Sequence, residues 1–203
     1  MKFNDYPISE KIKQQLEVLG FKKPTDIQFK AIKPIMEGED VLAIAQTGTG
    51  KTGAFAIPIL DKLEKTSKKN YKGVRCLVMV PTRELAKQIS LVFKDLGRNT
   101  TIKTFGLFGG VEQEQQIRTL NNGIDILVST PGRMFDLISQ GHIDISKLDF
   151  LVLDEADLML DLGFLKDIQD VLKHIPKKRQ TLFFSATITK KIKTLAYSLV
   201  RDA

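Results

Sequence analysis

The sequence has few of the features that stabilise small secreted proteins or anchor chains in membranes. It contains one cysteine, Cys76, so no internal disulfide can form. No stretch approaches about 18 consecutive apolar residues, and the N-terminal segment lacks the apolar core of a signal peptide. We therefore expect a soluble, cytoplasmic protein in which Cys76 is a small buried strand residue.

Aromatic residues are also scarce, because tryptophan is absent and there are only three tyrosines. An aromatic platform of the kind on which single-stranded nucleic acids stack is therefore not evident. The formal net charge of +7 is compatible with a polyanionic partner and equally with a lysine-rich surface. Charge alone leaves both interpretations open.

Buried apolar runs alternate with helical patterns along most of the chain, which predicts an α/β fold with a mainly parallel sheet and helices on both faces. The predicted strands are Val41–Ala45, Cys76–Val80, Phe105–Phe108, Ile124–Ser129, Phe150–Leu153 and Leu182–Ser185. The helices predicted between and after them are Thr52–Leu63, Glu84–Leu96, Gln113–Leu120, Arg133–Ile138, Leu165–Lys173 and Lys190–Leu199. Two capped helices precede the first strand, and the lysine-rich segment 65–72 is expected to be a surface loop.

The predicted strand Phe150–Leu153 runs directly into three acids, Asp154, Glu155 and Asp157. Open α/β sheets bind their ligands at the carboxyl ends of the strands, where these acids would lie. Two neighbouring carboxylates favour a divalent metal and a polarised water. The alternative is an ordinary helix start, because acids are favoured in a first helical turn.

A glycine-rich loop follows the first predicted strand and matches the general phosphate-loop pattern, except that Ala45 replaces its first glycine. Gly48 and Gly50 let the backbone approach a phosphate, and the next helix directs its positive end at the same anion. Lys51 is expected to reach the β- and γ-phosphates of a nucleotide, and the Thr52 hydroxyl to bind Mg²⁺. The loop consists of Ala45, Gln46, Thr47, Gly48, Thr49, Gly50, Lys51 and Thr52.

The phosphate loop decides the interpretation of the acids. In phosphate-loop enzymes Mg²⁺ lies between the loop hydroxyl and an acid on a neighbouring strand, so Asp154 is the predicted second ligand. Glu155 is then placed to orient or deprotonate the attacking water. Lys51, Asp154 and Glu155 are the predicted catalytic residues, with ATP and Mg²⁺ as cofactors.

With both halves of an ATP site in view, the string Asp154–Glu155–Ala156–Asp157 resembles the signature of the DEAD-box RNA helicases of superfamily 2. Further matches to the family's motifs follow in the family's order. They are the Q motif at Gly20–Gln28 with Phe3 upstream, motif Ia at Pro81–Ala86, the doublet Gly109–Gly110, motif Ib at Thr130–Arg133 and motif III at Ser185–Thr187. The resemblance implies the N-terminal RecA-like lobe of a bacterial member of this family.

The resemblance also implies roles for individual residues. Gln28 would hold adenine through its side-chain amide, although its spacing from Thr25 also fits a capping box. Phe3 would stack on the base, with a surface anchor as the alternative, and Lys23 and Thr25 would support the pocket. The implied RNA contacts, to the sugar-phosphate backbone, are Pro81, Thr82, Arg83, Gly109, Gly110, Thr130, Pro131, Gly132 and Arg133. Ser185 and Thr187 would hydrogen-bond Asp157 and couple the two sites, although local capping is the alternative.

The family uses two lobes, and the second carries an arginine-rich motif that does not occur in this sequence. We expect residues 1–28 to form a Q-motif extension and residues 29–203 the first helicase lobe, which binds nucleotide weakly and turns it over slowly by itself. The predicted function is ATP-dependent local unwinding of RNA duplexes. A DNA-directed motor and a non-catalytic nucleotide-dependent RNA-binding module are the alternatives.

Overall fold

The computed structural model describes residues 2–66, 71, 73–107 and 113–201. These residues contain six strands, which form one parallel sheet in the order β1-β6-β5-β2-β4-β3. The strands are β1 Val41–Ile44, β2 Cys76–Met79, β3 Thr104–Leu107, β4 Ile126–Ser129, β5 Phe150–Leu153 and β6 Gln180–Ser185. The predicted parallel α/β sheet is confirmed.

Nine α-helices and a short 3₁₀ helix at Phe3–Asp5 accompany the strands in the described ranges. The α-helices are α1 Glu10–Val18, α2 Asp26–Glu37, α3 Lys51–Lys65, α4 Arg83–Leu96, α5 Gln113–Asn121, α6 Pro131–Ser139, α7 Ala156–Asp161, α8 Leu165–Leu172 and α9 Lys190–Leu199. The sequence analysis missed α7 and the 3₁₀ helix. Both are short, so neither shows an extended amphipathic pattern.

Five of the six described strands differ from the prediction by one or two residues at a boundary. Strands β1 and β2 each end one residue earlier than predicted, and β4 begins two residues later. Strand β3 begins at Thr104, one residue earlier than predicted, and residue 108 lies outside the described part of the chain. Strand β6 begins with the polar pair Gln180 and Thr181, which an apolar pattern does not reveal. Their polar groups are satisfied from outside the strand, because Gln180 Nε2 donates to the carbonyls of Ile35 and Glu39, and Thr181 N donates to Asp40.

The strands alternate their side chains between two hydrophobic cores, one on each face of the sheet. In β5, Phe150 and Val152 belong to one core, and Leu151 and Leu153 belong to the other. Helices α1 to α4 contribute to the first core and helices α6 to α9 to the second. The prediction of helices on both faces is therefore confirmed.

The N-terminal extension packs into the first of these cores. Phe3, Tyr6, Ile12 and Leu16 are buried there together with side chains of α3. Ser9 precedes α1 as predicted but its hydroxyl does not cap the helix; its backbone N–H donates to the buried carboxylate of Asp61 instead. The division at residue 28 stays a prediction, because the extension shares its core with the following residues.

Two expectations about individual segments can be compared with the structure. Cys76 is fully buried in β2, and burial raises the pKa of its thiol, as expected for a structural cysteine. The expected loop 65–72 begins later than predicted, because Lys65 is the last residue of α3 and pairs with Asp61. Residues 67–70 and 72 lie outside the described ranges. Within the described helices, no segment combines the length and the apolar character needed to cross a bilayer.

Candidate active site

The phosphate loop lies between the carboxyl end of β1 and the start of α3, which begins at Lys51. Gly48 and Gly50 both adopt left-handed backbone angles, with φ of 83° and 93°. Residues with a Cβ rarely adopt these angles, so the loop conformation favours glycine at both positions. The predicted approach of this backbone to a phosphate stays a prediction. Ala45 continues the pairing of β1, because its N–H donates to the carbonyl of Ser185 in β6.

Lys51 is buried, with a relative exposure of 5%, and its ammonium points at the acids that follow β5. Its Nζ lies 3.8 Å from Asp154 Oδ1 and 3.9 Å from Glu155 Oε1, both beyond hydrogen-bond distance. Among the described residues, Nζ has no hydrogen-bond partner. A buried ammonium without an acceptor is costly, so this arrangement is suited to an anion that supplies the missing acceptors.

Asp154 is almost completely buried at the carboxyl end of β5. Burial raises the pKa of its carboxyl group to about 6; Lys51 lowers this pKa, and the neighbouring Glu155 raises it. One oxygen accepts a hydrogen bond from the Glu155 N–H at 3.0 Å. A cation beside this carboxylate would favour its charged form, so its surroundings fit a metal ligand.

Glu155 adopts a left-handed backbone conformation with φ 53° and ψ 49°, directly between β5 and α7. This conformation is strained for a residue with a side chain, and such strain is concentrated at functional sites. Its Oε1 accepts a hydrogen bond from Thr47 Oγ1 at 3.0 Å. The phosphate loop and the acidic segment are therefore directly linked by a hydrogen bond.

The two interpretations of the acidic segment turn out to be compatible. Asp154 and Glu155 follow a buried strand, as predicted, whereas Asp157 lies in the first turn of α7. Within the described residues, no group of three or more histidine, cysteine, aspartate or glutamate side chains is arranged to hold a metal. A cation here would therefore need non-protein ligands in addition to Asp154 and the Thr52 hydroxyl at the start of α3.

Gln28 connects the Q motif to the phosphate loop. Its side-chain Oε1 accepts from the Thr25 N–H, which completes the capping box of α2, and its Nε2 donates to the Gly50 carbonyl at 3.1 Å. The amide retains one N–H and one lone pair for another partner. The capping box is therefore present, and it does not exclude the adenine contact, which stays a prediction.

Gly53 in α3 permits this approach, and the sequence analysis did not identify it. A Cβ at Gly53 would lie 2.6 Å from Gln28 Nε2, closer than real Cβ contacts. At Gly50 a Cβ would lie 2.8 Å from the same nitrogen. The spacing from Gly50 to Gly53, facing a glutamine on a preceding helix, is the only signal the sequence offers for this contact.

Phe3 is buried, with a relative exposure of 3%, so the alternative of a surface anchor is wrong. Its ring contacts Phe21 edge-on, with centroids 6.2 Å apart, and Tyr6 at 6.4 Å. Both Phe3 and Phe21 line a pocket of about 500 Å³ that also includes Lys23. The structure thus places Phe3 beside the Q motif, and base stacking stays a prediction.

Two of the three predicted groups of RNA contacts follow β2 and β4, which are adjacent in the sheet. At α4 the Thr82 hydroxyl accepts from the Leu85 N–H, and Arg83 is exposed. At α6 Pro131 occupies the first helical position, and Arg133 Nη2 donates to Gln116 at 3.1 Å. The two helix starts therefore lie at neighbouring strand ends, as predicted. Pro81 is buried, Thr130 and Gly132 are half-buried, and Gly109 and Gly110 lie outside the described residues.

Asp157 joins α7 to the end of β6. Its Oδ2 accepts from both the backbone N–H and the hydroxyl of Thr187, each at 3.0 Å. Partial burial acts to raise the Asp157 pKa, but the Thr187 hydroxyl and the backbone N–H groups of Ala186 and Leu158 outweigh it and lower the pKa below its usual value. The predicted Thr187 contact is confirmed. Ser185 Oγ is near enough to assist this lowering, but it is buried without a hydrogen bond to any described residue, so the second predicted bond is not formed.

Comparisons with known proteins agree with this geometry. The model of the DEAD/DEAH box helicase family matches residues 25–195. The chain is 41% identical over 200 residues to "RNA helicase CrhR" of Synechocystis sp., which covers 98% of this chain and 40% of that protein. It is 45% identical over 193 residues to the mitochondrial DEAD-box ATP-dependent RNA helicase 9 of Arabidopsis thaliana, covering 94% of this chain and 31% of the relative.

Among solved structures, the chain is similar to a DEAD box protein from the hyperthermophile Methanococcus jannaschii, with a TM-score of 0.92 and 37% identity. That match covers 100% of this chain and 54% of the solved one. The predicted RecA-like fold is thereby confirmed. The chain spans less than half the length of the two curated relatives above. Because the family model covers most of the chain, the chain belongs to the DEAD/DEAH box helicase family.

Proposed function

We propose that this chain is the ATP-binding lobe of a protein that couples ATP binding and hydrolysis to the local unwinding of RNA duplexes. The observation that carries the proposal is Lys51, a buried ammonium with no hydrogen-bond partner among the described residues, held between the phosphate loop and two carboxylates. The triphosphate of ATP supplies the acceptors that this ammonium lacks. The names of the relatives, which include "RNA helicase", support the choice of substrate.

The loop residues Gln46 to Gly50 present backbone N–H groups to the phosphates, and the positive end of α3 strengthens their attraction. Thr52 and Asp154 would hold Mg²⁺, which neutralises negative charge on the phosphates when it is bound. Asp154 is buried and has a raised pKa, so it releases its proton more readily when a cation is present.

Glu155 acts on the attacking water. In the structure its carboxylate is held by the Thr47 hydroxyl, a residue of the phosphate loop. The carboxylate also lies 3.9 Å from the Lys51 ammonium, at a position where it would orient the water and accept its proton. The strained backbone at Glu155 holds the side chain at the end of β5, beside Lys51.

Adenine is selected by the amide of Gln28, assisted by Lys23, Thr25 and a stacking contact with Phe3. The amide donates to the Gly50 carbonyl, so a base bound to Gln28 would be linked to the phosphate loop through this hydrogen bond. The free N–H and lone pair of Gln28 match the N7 acceptor and N6 amino donor of adenine, a pattern that guanine does not present.

RNA is held along the ends of β2 and β4, where the starts of α4 and α6 present backbone N–H groups to the phosphates. Arg83 and Arg133 add positive charge, and the doublet Gly109–Gly110 completes the predicted contact surface. Asp157 and Thr187 connect this surface to the ATP site. These contacts touch the sugar-phosphate backbone, so recognition is independent of base sequence.

Efficient turnover requires a second RecA-like lobe that supplies arginines to the γ-phosphate and closes over the RNA. This chain alone is expected to bind adenine nucleotide with Mg²⁺ weakly and to show little RNA-stimulated hydrolysis. Robust RNA-dependent hydrolysis by this chain alone would contradict the need for that lobe. A cytoplasmic location and a bacterial origin stay predictions.

The proposal is tested in a longer protein that contains this chain and the second lobe. Lys51→Ala and Glu155→Gln are each expected to reduce RNA-stimulated ATP hydrolysis by at least about a hundredfold, because each removes a group that acts on the reacting phosphate or water. Asp161→Asn, which changes an exposed acid at the other end of α7, is the matched control and should leave the rate unchanged. An unchanged rate in either active-site variant would sink the role assigned to that residue.

The same assay separates the alternatives. Stimulation by RNA and not by DNA of the same length supports the RNA-directed function. Equal stimulation by DNA favours the DNA-directed motor, and nucleotide-dependent RNA binding without hydrolysis favours the non-catalytic module.

A further inference from the structure

A basic cavity lies at the amino ends of the central strands, whereas the ATP site lies at their carboxyl ends. It has a volume of about 420 Å³, and its walls include Phe150 and Gln180, the first residues of β5 and β6. Asp154 lies at the other end of β5, so the sheet separates this distal cavity from the phosphate loop. Helix α3 spans the distance, because it begins at Lys51 and its last turn lines the cavity.

Four cationic side chains and one carboxylate line the distal cavity, which gives a net charge of +3. The cations are Lys62, Arg75, Lys178 and Arg179, and the carboxylate is Asp149. Like charges in a confined space repel one another, and a bound anion relieves that repulsion. The charge of the cavity therefore points to an anionic ligand.

The cations differ in how fully the protein already uses them. Arg75 is buried and committed, because its guanidinium binds Asp149, the Leu63 carbonyl and the Thr66 hydroxyl. It thereby satisfies the Leu63 carbonyl in the last turn of α3 and places positive charge at the helix end that would otherwise repel an anion. Arg75 and Thr66 thus form a rigid, hydrogen-bonded part of the cavity wall. The cations that remain for a ligand are Lys62, Lys178 and Arg179.

Lys62 and Arg179 retain unused donor capacity. Lys62 Nζ donates to Gln180 Oε1 at 3.2 Å and lies over the Phe150 ring, so a lysine ammonium still has N–H groups to offer. Arg179 donates through Nη1 to the Pro176 carbonyl, whereas its Nε is buried without a partner in the described part of the chain. Burial and, less strongly, the positive charge of Arg201 lower the pKa of Arg179, and the negative charge of Asp40 offsets part of this lowering.

We propose that the distal cavity binds a small anion that carries two or more phosphate groups. The guanidinium fork of Arg179 matches phosphate oxygens, and Lys62 and Lys178 supply two further charges from separate walls. The volume lies within the range of small-molecule sites and exceeds what one phosphate needs. The site is distinct from the phosphate loop and does not depend on ATP hydrolysis.

The test is a titration of the isotope-labelled chain with inorganic tripolyphosphate, followed by nuclear magnetic resonance at about 0.15 M salt, which screens weak surface attraction. The backbone amides of Gly38 and Phe150 report on the distal cavity, and those of Gly48 and Gly50 report on the phosphate loop. The two sites are therefore read separately in one experiment. Citrate, a tricarboxylate, is titrated in parallel.

Saturable shifts at Gly38 and Phe150 are expected, and they should persist in Lys51→Ala, which weakens only the phosphate loop. Arg179→Gln should raise the midpoint of the distal shifts about tenfold, the effect of losing one charged donor, and leave the phosphate-loop shifts unchanged. Lys178→Gln tests the same prediction at an exposed position where the fold is not at risk. Lys177→Gln, which removes an equal charge just outside the cavity, should change neither midpoint.

Three outcomes would overturn the proposal. The first is the absence of shifts at Gly38 and Phe150 in the unaltered chain. The second is an equal effect of Lys177→Gln and Lys178→Gln, which would mean attraction by net charge alone. The third is binding of citrate as tightly as tripolyphosphate, which would remove the assignment to phosphate.

Discussion

Asp154 and Lys51 are oppositely charged and buried side by side, yet their charged atoms lie 3.8 Å apart without a hydrogen bond. An ion pair that served stability would be expected to close this gap, because separated buried charges keep most of their desolvation cost. Both side chains are instead held by their backbones at the ends of β5 and of the phosphate loop. We infer that this spacing leaves room for a ligand.

The cost of this arrangement is measurable as a dependence of stability on pH. Burial raises the pKa of Asp154 to about 6, above its ordinary value of 3.8. Between these two pKa values the folded chain binds a proton that the unfolded chain releases. The stabilisation of the folded chain by protonated Asp154 is therefore fully present below about pH 4 and is lost as pH rises through about 6. Asp154→Asn removes the titrating group.

In metal-free buffer we expect Asp154→Asn to become progressively more stable than the unaltered chain between pH 4 and pH 7, by at most about 3 kcal/mol. Urea denaturation at a series of pH values measures the difference. The same difference at pH 4 and pH 7 would show that Asp154 titrates normally in the folded chain.

Several properties of single residues could be predicted from the sequence, and others could not. The motif pattern identified Lys51, Asp154 and Gln28, because each belongs to a short local string with a known chemical role. The bond between Thr47 and Glu155 joins residues 108 positions apart, and no local pattern encodes it. The left-handed backbone of Glu155 also escapes prediction, because glutamate is not a residue that signals this conformation.

At the scale of elements, α3 links three features: the phosphate loop at its start, the Q motif against its first turn and the distal cavity at its end. Glycine is unusual inside a helix, where alanine is normally more stable by about 1 kcal/mol. Gly53 occupies such a position because the Gln28 amide needs the space. The close packing of α2 against α3 thus depends on the absence of a side chain.

We predict that Gly53→Ala destabilises the chain by about 1–2 kcal/mol, because the new Cβ displaces Gln28 from the Gly50 carbonyl and from its capping box. Gly132→Ala in α6 is the matched control, because its Cβ would meet only Asp167, at 4.0 Å. It should leave stability unchanged or raise it slightly. Urea denaturation compares both; stabilisation by Gly53→Ala would refute the close-contact argument.

The connection between α7 and β6 depends on Thr187. Asp157 has a lowered pKa, so its hydrogen bonds stabilise the chain above its ordinary pKa, and this stabilisation is lost as pH falls through the lowered value. Thr187→Val removes the hydroxyl donor and keeps the shape of the side chain. We expect it to raise the Asp157 pKa and to cost about 1 kcal/mol at neutral pH.

Ser185→Ala is the variant for comparison. The Ser185 hydroxyl makes no hydrogen bond within the described structure and is the smallest of the influences that lower the Asp157 pKa, so a smaller rise of this pKa is expected. A nuclear magnetic resonance titration of the Asp157 carboxyl group measures both variants. If Ser185→Ala raised the Asp157 pKa as much as Thr187→Val, the assignment of Thr187 as the principal partner would be wrong.

Every described strand was predicted, whereas helix α7 was missed, and the difference has a physical reason. A parallel strand is buried on both faces, so it appears as a short uninterrupted apolar run such as Cys76–Met79. Helix α7 is only six residues long and includes two acids, so it lacks a clear apolar stripe. The polar start of β6 was missed because its partners, Asp40 and Asp149, lie far away in the sequence.

At the scale of the whole molecule, the sheet divides the chain into two chemical surfaces. The carboxyl ends of the strands carry the phosphate loop, the acids and the helix starts proposed to hold RNA, as open α/β sheets generally do. The amino ends of the strands border the distal cavity, in which Arg75 is held by its hydrogen bond to Asp149. The membership of the helicase family accounts for the first surface and does not require the second.

The central claim is that the residues around Lys51 form an adenine-nucleotide site, and calorimetric titration of this chain with ATP and with GTP in the presence of Mg²⁺ tests it most directly. We predict weak, saturable binding of ATP, binding of GTP weaker by about tenfold or more, and a similar loss of ATP affinity in Lys51→Ala. Equal affinity for ATP and GTP, or unchanged ATP affinity in Lys51→Ala, would contradict the account.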